Sequence, residues 1–209
     1  MAVKSSFKNM TICLFAICLV CSALLAGVYA LTAEPIAAAA AAKNEAAIKE
    51  VLPDNAVRIE EERTVEMDGV TYTYNLAYDE PGNTVGCAVN VSALGFGGPI
   101  SIKVGLDMDG VICNTKVLSQ AETPGLGAKC TEAAFADQFR FFNSAEKKLA
   151  VKKDGGDVDA ITASTITSRA YANGLAVAVN VFNAIVGTPM PLDSLTDATA
   201  GDETKTMEE

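Results

Sequence analysis

Five hydroxyl side chains occur within the seven residues 162–168, in the stretch DAITASTITS (159–168), just before an apolar segment. A hydroxyl cluster at the start of a helix can bind an anion, because the first N–H groups of the helix are unpaired and its dipole is positive there. Ser and Thr are also favoured helix caps. On local physics alone we prefer capping, since caps are far commoner than phosphate sites.

The sequence contains few other residues suited to acid–base or metal chemistry. It has no histidine, and the three cysteines outside the N-terminal apolar run, Cys87, Cys113 and Cys130, form no CxxC pair. We therefore expect no metal site. A hydrolase with Thr165 or Ser164 as nucleophile would lack a histidine base. We expect no catalytic residue in this chain.

The charge distribution argues against nucleic acid and anionic lipid surfaces as partners. The net charge is −10, and two of the 16 basic residues lie in the first ten, which leaves 14 basic against 26 acidic residues in the rest. Such a surface repels phosphate groups. The length of 209 residues fits one domain, or one domain with an appendage.

An uncharged run covers residues 11–31, TICLFAICLVCSALLAGVYAL, and as a helix it would span the ~30 Å of a bilayer core. Lys4 and Lys8 precede it, so we expect residues 1–10 to form a cytoplasmic arm and the rest to face outward across the bacterial cytoplasmic (inner) membrane. A cleaved signal peptide is the alternative. The run exceeds the ~7–15 residues of a signal core, which favours a retained single-pass anchor.

An alanine-rich segment follows at residues 32–52. We expect a helical stalk, with Thr32 as its cap, Pro35 in its first turn and Pro53 beyond its end. A flexible linker is the alternative. The acidic segment 193–209 is expected to be a disordered tail.

Three stretches alternate apolar and polar residues with a period of two, at 70–78, 85–91 and 100–108. They predict half-buried strands. Hairpin signals flank the first and the third stretch: Asp68-Gly69 and Asp109-Gly110. The sequence therefore predicts an antiparallel sheet.

Two segments have helical spacing of apolar residues. The first, residues 131–142, has Thr131 as a plausible cap, and the second, residues 169–186, ends at Gly187. Strands and helices in this order predict a single α+β domain over residues 53–192.

Two glycine-rich motifs lie between the strands. GFGGPI (95–100) permits positive φ angles or a close backbone approach, although a plain loop before a strand is the simpler interpretation. AETPGLGAK (121–129) places Pro124 and Gly125 as in a type II turn.

The hydroxyl cluster resembles the flavinylation motif of the FMN-binding domain family, which the RnfG component of the Rnf complex shares with the NqrC component of the Na⁺-pumping NADH:quinone reductase. That pattern is roughly Asp-x-x-Ser/Thr-Gly-Ala-Thr-x-Ser/Thr. The N-terminal arm, the single anchor, the LTAEPI junction, the alanine-rich segment, GFGGPI and AETPGLGAK also resemble RnfG, in the same order. The resemblance covers nearly the whole chain.

The motif can be carried over position by position. Its matching residues are Asp159, Thr162, Thr165 and Thr167. In the family, the residue that corresponds to Thr165 binds FMN covalently through a phosphoester. Ala163 stands where the family has Gly, and its Cβ narrows the range of backbone conformations. Ser164 stands where the family has Ala, and it adds a hydroxyl that competes with that of Thr165. By the same resemblance the candidate contacts of the flavin ring are Glu122, Thr123, Leu126 and Gly127.

The resemblance implies an electron-relay flavoprotein subunit of a membrane-bound Rnf-type ferredoxin:NAD⁺ oxidoreductase, coupled to Na⁺ or H⁺ translocation. Its partners would be the other subunits and an ApbE-type flavin transferase that attaches the cofactor. Two alternatives stay open: an NqrC-like component of the quinone reductase, and a non-redox, membrane-anchored binding module in which the hydroxyl cluster only caps a helix.

Overall fold

The computed structural model describes residues 7–187. Within them the chain divides into two units, which meet in sequence between Lys43 and Asn44. The predicted acidic tail lies outside the described residues, as does most of the predicted cytoplasmic arm.

The first helix, α1, runs from Phe7 to Val51. Its most apolar window has a mean hydropathy of 2.6 with exposed side chains, so α1 is long and apolar enough to cross a membrane. The prediction of a new helix capped by Thr32 is wrong, because the Thr32 hydroxyl donates to the Val28 carbonyl within α1 (2.9 Å). The helix propensity of the Leu- and Ala-rich flanks outweighs the hydrogen bond lost at Pro35.

The second unit contains, within the described residues, a six-stranded sheet in the order β1-β3-β4-β5-β6, with β2 also paired to β3. The strands are Arg58–Ile59 (β1), Arg63–Met67 (β2), Val70–Tyr78 (β3), Thr84–Leu94 (β4), Pro99–Asp107 (β5) and Ile112–Ser119 (β6). Every pair is antiparallel, as predicted. Both predicted hairpins are confirmed: Asp68 and Gly69 have positive φ between β2 and β3, and Gly110 does so between β5 and β6.

Both faces of the sheet are covered. One face packs with the long C-terminal helix, and the other packs with Ile48 and Val51 at the end of α1. The alternation in β4 predicts Val85 on the same face as Cys87, but Val85 packs on the α1 side. A β-bulge explains the difference, since Thr84 pairs with Tyr78 and Gly86 pairs with Ala77, which leaves Val85 between them.

The predicted helix over 131–142 is mostly wrong. Its α-helical part is only Ala133–Ala136 (α2), between the 3₁₀ segments Gly127–Thr131 and Asp137–Phe139. Phe142 exchanges backbone hydrogen bonds with Ile112 at the sheet edge, and this pairing draws the chain out of helical geometry. The hydroxyl of Thr131 donates to the Ala128 carbonyl (2.9 Å) and does not cap α2.

The C-terminal helix, α3, runs from Thr165 to Val186 and starts four residues earlier than predicted. Polar residues fit in its first turn because the hydroxyls of Thr167 and Ser168 both form buried hydrogen bonds. The predicted stop is confirmed: Gly187 has a φ of 85° and donates its N–H to the Asn183 carbonyl (2.9 Å). The observed fold is α+β, as predicted.

Candidate functional site: a cofactor cleft at the start of the C-terminal helix

Three separate segments border one cleft of ≈ 380 Å³. They are the glycine-rich loop with Phe96, the loop from Glu122 to Gly127, and the entrance to α3 from Ala163 to Thr167. The two glycine motifs and the hydroxyl cluster of the sequence thus meet in space. The volume falls within the usual range of ligand pockets.

A single buried carboxylate joins these three segments. Glu122 is 6% exposed. Its Oε1 accepts the Gly97 N–H (2.9 Å), and its Oε2 accepts the Thr167 hydroxyl (2.6 Å). A Cβ on Gly127 would overlap this carboxylate and come within 2.7 Å of Thr167 Oγ1, so the position requires glycine. Glu122 therefore fixes the wall of the cleft, a role that the sequence alone did not indicate.

The entrance to α3 is held by a second small network. Ser168 Oγ accepts the Ile161 N–H and donates to the Ser164 carbonyl, both at 2.9 Å. Ser164 occupies the N-cap position, yet its side chain makes no cap hydrogen bond. The amides of the first turn are thus left for another acceptor, which favours anion binding over capping at this cluster.

Thr165 is the first residue of α3, and its side chain lines the cleft while remaining half-exposed. A phosphate on its hydroxyl would lie at the positive end of the helix dipole. The neighbouring cleft has apolar walls from Phe96, Leu126 and Ile166, which suit a flat aromatic ring system. The residues present therefore fit a nucleotide-like flavin with its phosphate at Thr165 and its ring in the cleft.

Ala163 has a φ of +62° in the turn closed by the Ser164 N–H and the Ile161 carbonyl (3.0 Å). A residue with a Cβ is strained there by about 1–2 kcal/mol. Glycine, the residue that the motif has at this position, adopts such a conformation without that strain. The Gly125 φ of +78° and the Leu126 N–H bond to the Thr123 carbonyl (3.1 Å) also fit the predicted turn.

The other two predicted site residues lie elsewhere. Asp159 and Thr162 line a neighbouring groove. The Asp159 carboxylate is exposed and pairs with Lys152 at 2.8 Å. The Gln138 amide binds both the N–H and the carbonyl of Asp159 (2.7 and 3.2 Å). Asp159 thus helps to hold the segment that leads to Thr165 but does not line the cleft.

Of the predicted residues, those that line the cleft are Glu122, Thr123, Leu126, Gly127, Ser164, Thr165 and Thr167. Phe96 and Ile166 line it too and were missed. Phe96 lies in the GFGG motif, whose glycines were the available signal. Ile166 lies between two predicted hydroxyl residues and had no signal of its own.

The buried cysteine beside the cleft is not a nucleophile. Cys130 is fully buried, and burial together with the nearby Glu122 raises the pKa of its thiol to about 11. Its thiol is therefore neutral at physiological pH. Within residues 7–187 the cysteines form no disulfide, and no cluster of side chains suited to a metal ion occurs.

Two family models match the chain. Residues 95–180 match the model of the FMN-binding domain, and residues 1–51 match that of the RnfG N-terminal region. The first match contains all three segments of the cleft.

Several curated proteins resemble the chain along much of its length. It is 35% identical over 172 residues to the G component of the ion-translocating oxidoreductase complex of Methanosarcina acetivorans, across 80% of this chain and 90% of that protein. The G component of the Na⁺-translocating ferredoxin:NAD⁺ oxidoreductase complex of Acetobacterium woodii is 36% identical over 106 residues, which is 48% of this chain and 51% of that protein.

Among solved structures, the NqrC protein of Shewanella oneidensis superposes with a TM-score of 0.47 at 20% identity, over 64% of this chain and 73% of that chain. Together, the apolar helix α1 and membrane-complex relatives indicate a membrane-anchored protein. The chain belongs to the RnfG family, whose members are components of ion-translocating oxidoreductase complexes, and contains the family's FMN-binding domain.

Proposed function

We propose that this protein binds FMN covalently, through a phosphoester on the Thr165 hydroxyl, and relays electrons within a ferredoxin:NAD⁺ oxidoreductase complex that translocates Na⁺ or H⁺. The observation that carries the proposal is the position of Thr165, at the first turn of α3 and inside the cleft. The relative from Acetobacterium woodii, whose name includes that reaction, supports the choice of complex.

The attachment would be made by a flavin transferase of the ApbE type with FAD as donor. A bond forms between Thr165 Oγ1 and the phosphorus on the flavin side, the pyrophosphate bond of FAD breaks, AMP leaves, and the hydroxyl proton passes to a base of the transferase. Thr165 is half-exposed, as a substrate residue must be. The segment 159–167 would be what the transferase recognises.

Covalent attachment suits a domain outside the cytoplasm. Lys4 and Lys8 precede the apolar part of α1, and this arrangement supports a cytoplasmic N-terminus and a domain on the outer face of the cytoplasmic membrane. A cofactor with any finite dissociation constant would be lost there by dilution. Attachment through the phosphate leaves the redox chemistry of the isoalloxazine ring unchanged. The protein groups around the ring then tune its redox potential.

The test is co-expression of the full chain with a flavin transferase, followed by a denaturing gel viewed under ultraviolet light. We expect a fluorescent band in the wild type, none in Thr165→Ala, and an undiminished band in the control Thr71→Ala, which changes an exposed threonine of β3 outside both the cleft and the segment 159–167. Protease added to intact spheroplasts should remove the band.

Flavin retained in Thr165→Ala would overturn this assignment. Peptide mapping of that band would then identify the modified residue, with Ser164 as the neighbouring hydroxyl in the cleft. Circular dichroism of the variants would verify that each retains its fold.

A further inference from the structure

Three large apolar side chains surround the mouth of the cofactor cleft and remain exposed to solvent. The exposed fraction is 72% for Phe96, 51% for Ile166 and 43% for Leu126. Each comes from a different segment, and all three line the same concavity. Apolar side chains that converge on a cleft in this way are typical of a surface that contacts a ligand.

Phe96 is presented by a firmly held backbone. The Gly95 N–H bonds to the Gly98 carbonyl (2.9 Å), and the Gly97 N–H bonds to the buried Glu122 (2.9 Å). A Cβ on Gly97 would collide with the backbone of Ala121, so the loop lies directly against its neighbour. The Phe96 side chain therefore projects from a fixed point while its own rotation stays free.

A phosphoester at Thr165 would keep a flavin close to the protein but would leave its ring free to swing on a flexible ribityl chain. Some contact must orient the ring, because electron transfer depends on its position. Among the described residues that line the cleft, Phe96 supplies the aromatic side chain. A phenyl ring can stack on a flat heteroaromatic system, and aliphatic groups can border its edges.

We propose that Phe96 packs against the face of the isoalloxazine ring and, with Leu126 and Ile166 at the ring edges, fixes its orientation and shields it from water. This assignment rests on the covalent FMN proposed above. Phe96 is a positioning residue here: it contacts the cofactor and transfers no proton or electron.

The test uses the full-length, flavinylated protein in detergent. Phe96→Ala is compared with Phe141→Ala, a matched control because Phe141 is 75% exposed and does not line the cleft. We expect iodide to quench the flavin fluorescence several-fold more strongly in Phe96→Ala, with a lower fluorescence anisotropy and a shifted midpoint potential. Phe141→Ala should match the wild type, and Phe96→Tyr should restore the wild-type values.

The fluorescent band on a denaturing gel separates the two proposals. A dark wild-type band would refute the covalent flavin itself. A full band with unchanged quenching, anisotropy and potential in Phe96→Ala would overturn the stacking role alone. Loss of the band in Phe96→Ala would also overturn it, because Phe96 would then act before the flavin is attached.

Discussion

The cleft at the entrance to α3 and the sheet face beneath the end of α1 both bury polar side chains, but they differ in how these are paired. At the cleft Glu122, Thr167 and Ser168 all have short hydrogen bonds. On the α1 side, Lys103 is fully buried and its Nζ has no hydrogen-bond partner among the described residues. Gly105 contacts Val51 of α1, and residues two positions apart in a strand lie on the same face, so Lys103 also lies on the α1 side of the sheet.

The difference shows what buried polar groups do in each place. At the cleft one carboxylate and its two partners come from three different segments, so the hydrogen bonds fix the geometry of a site. On the α1 side, the side-chain oxygens of Asn44 in α1 and Asn75 in β3 are also unpaired within the described residues. Burial lowers the pKa of Lys103, and the charge of Glu62 partly opposes this shift. Burial of the unpaired Lys103 amine therefore lowers the stability of the fold, whereas the paired Glu122 carboxylate holds the segments of the cleft in place.

The largest expected effect is at Glu122. Glu122→Ala should destabilise the domain by about 2–6 kcal/mol, because the Gly97 N–H and the Thr167 hydroxyl each lose a buried partner at roughly 1–3 kcal/mol. Glu122→Gln is the matched control, since its amide can accept from Gly97 and donate to Thr167. Urea unfolding of the full chain in detergent measures both. Equal stability of Glu122→Ala and the wild type would show that the cleft is not built on this carboxylate.

Lys103→Met should act in the opposite direction and stabilise the protein by about 1–3 kcal/mol, because it removes a buried amine without a partner among the described residues. The control is Lys116→Met, at an exposed lysine paired with Glu50, with an expected change below about 1 kcal/mol. Urea unfolding at neutral pH measures these differences. Destabilisation by Lys103→Met would mean that the amine is paired in solution, and the contrast between the two regions would disappear.

The difference in stability between the wild type and Lys103→Met should depend on pH, and the pKa of Lys103 gives the direction. The pKa of Lys103 is lowered in the folded state from its ordinary value of 10.5, so between those two values the folded protein binds fewer protons than the unfolded chain. The stability of the wild type relative to Lys103→Met should therefore rise as the pH increases towards 10.5. The difference between the two unfolding curves isolates Lys103 from the other titrating groups.

Local signals and tertiary contacts explain which parts of the molecule could be predicted. The alternating strands and the Asp68-Gly69 turn follow from local rules and were found. The Val85 bulge was missed, because it depends on the register with the neighbouring strand. The predicted helix over 131–142 was mostly wrong, because pairing of Phe142 with Ile112 overrides helical spacing. At the site, the motif singled out Thr165, and the structure places that residue in the cleft. The joining role of Glu122 depends on contacts between residues 25 and 45 positions apart and had no local signal.

The smallest expected effect is at Ala163. The polar groups of the cleft are well paired, but its backbone is strained at this residue. Ala163 is held at a φ of +62°. Ala163→Gly should stabilise the protein by about 1 kcal/mol, as relief of Cβ strain exceeds the added chain entropy of glycine. The control is Ala160→Gly, because Ala160 does not have a positive φ. This change should be neutral or destabilise the protein by up to about 1 kcal/mol. Thermal unfolding of both variants measures the contrast. If Ala163→Gly gains nothing, the turn before Thr165 relaxes in solution, and the strain at this entrance would not be part of how the cleft is built.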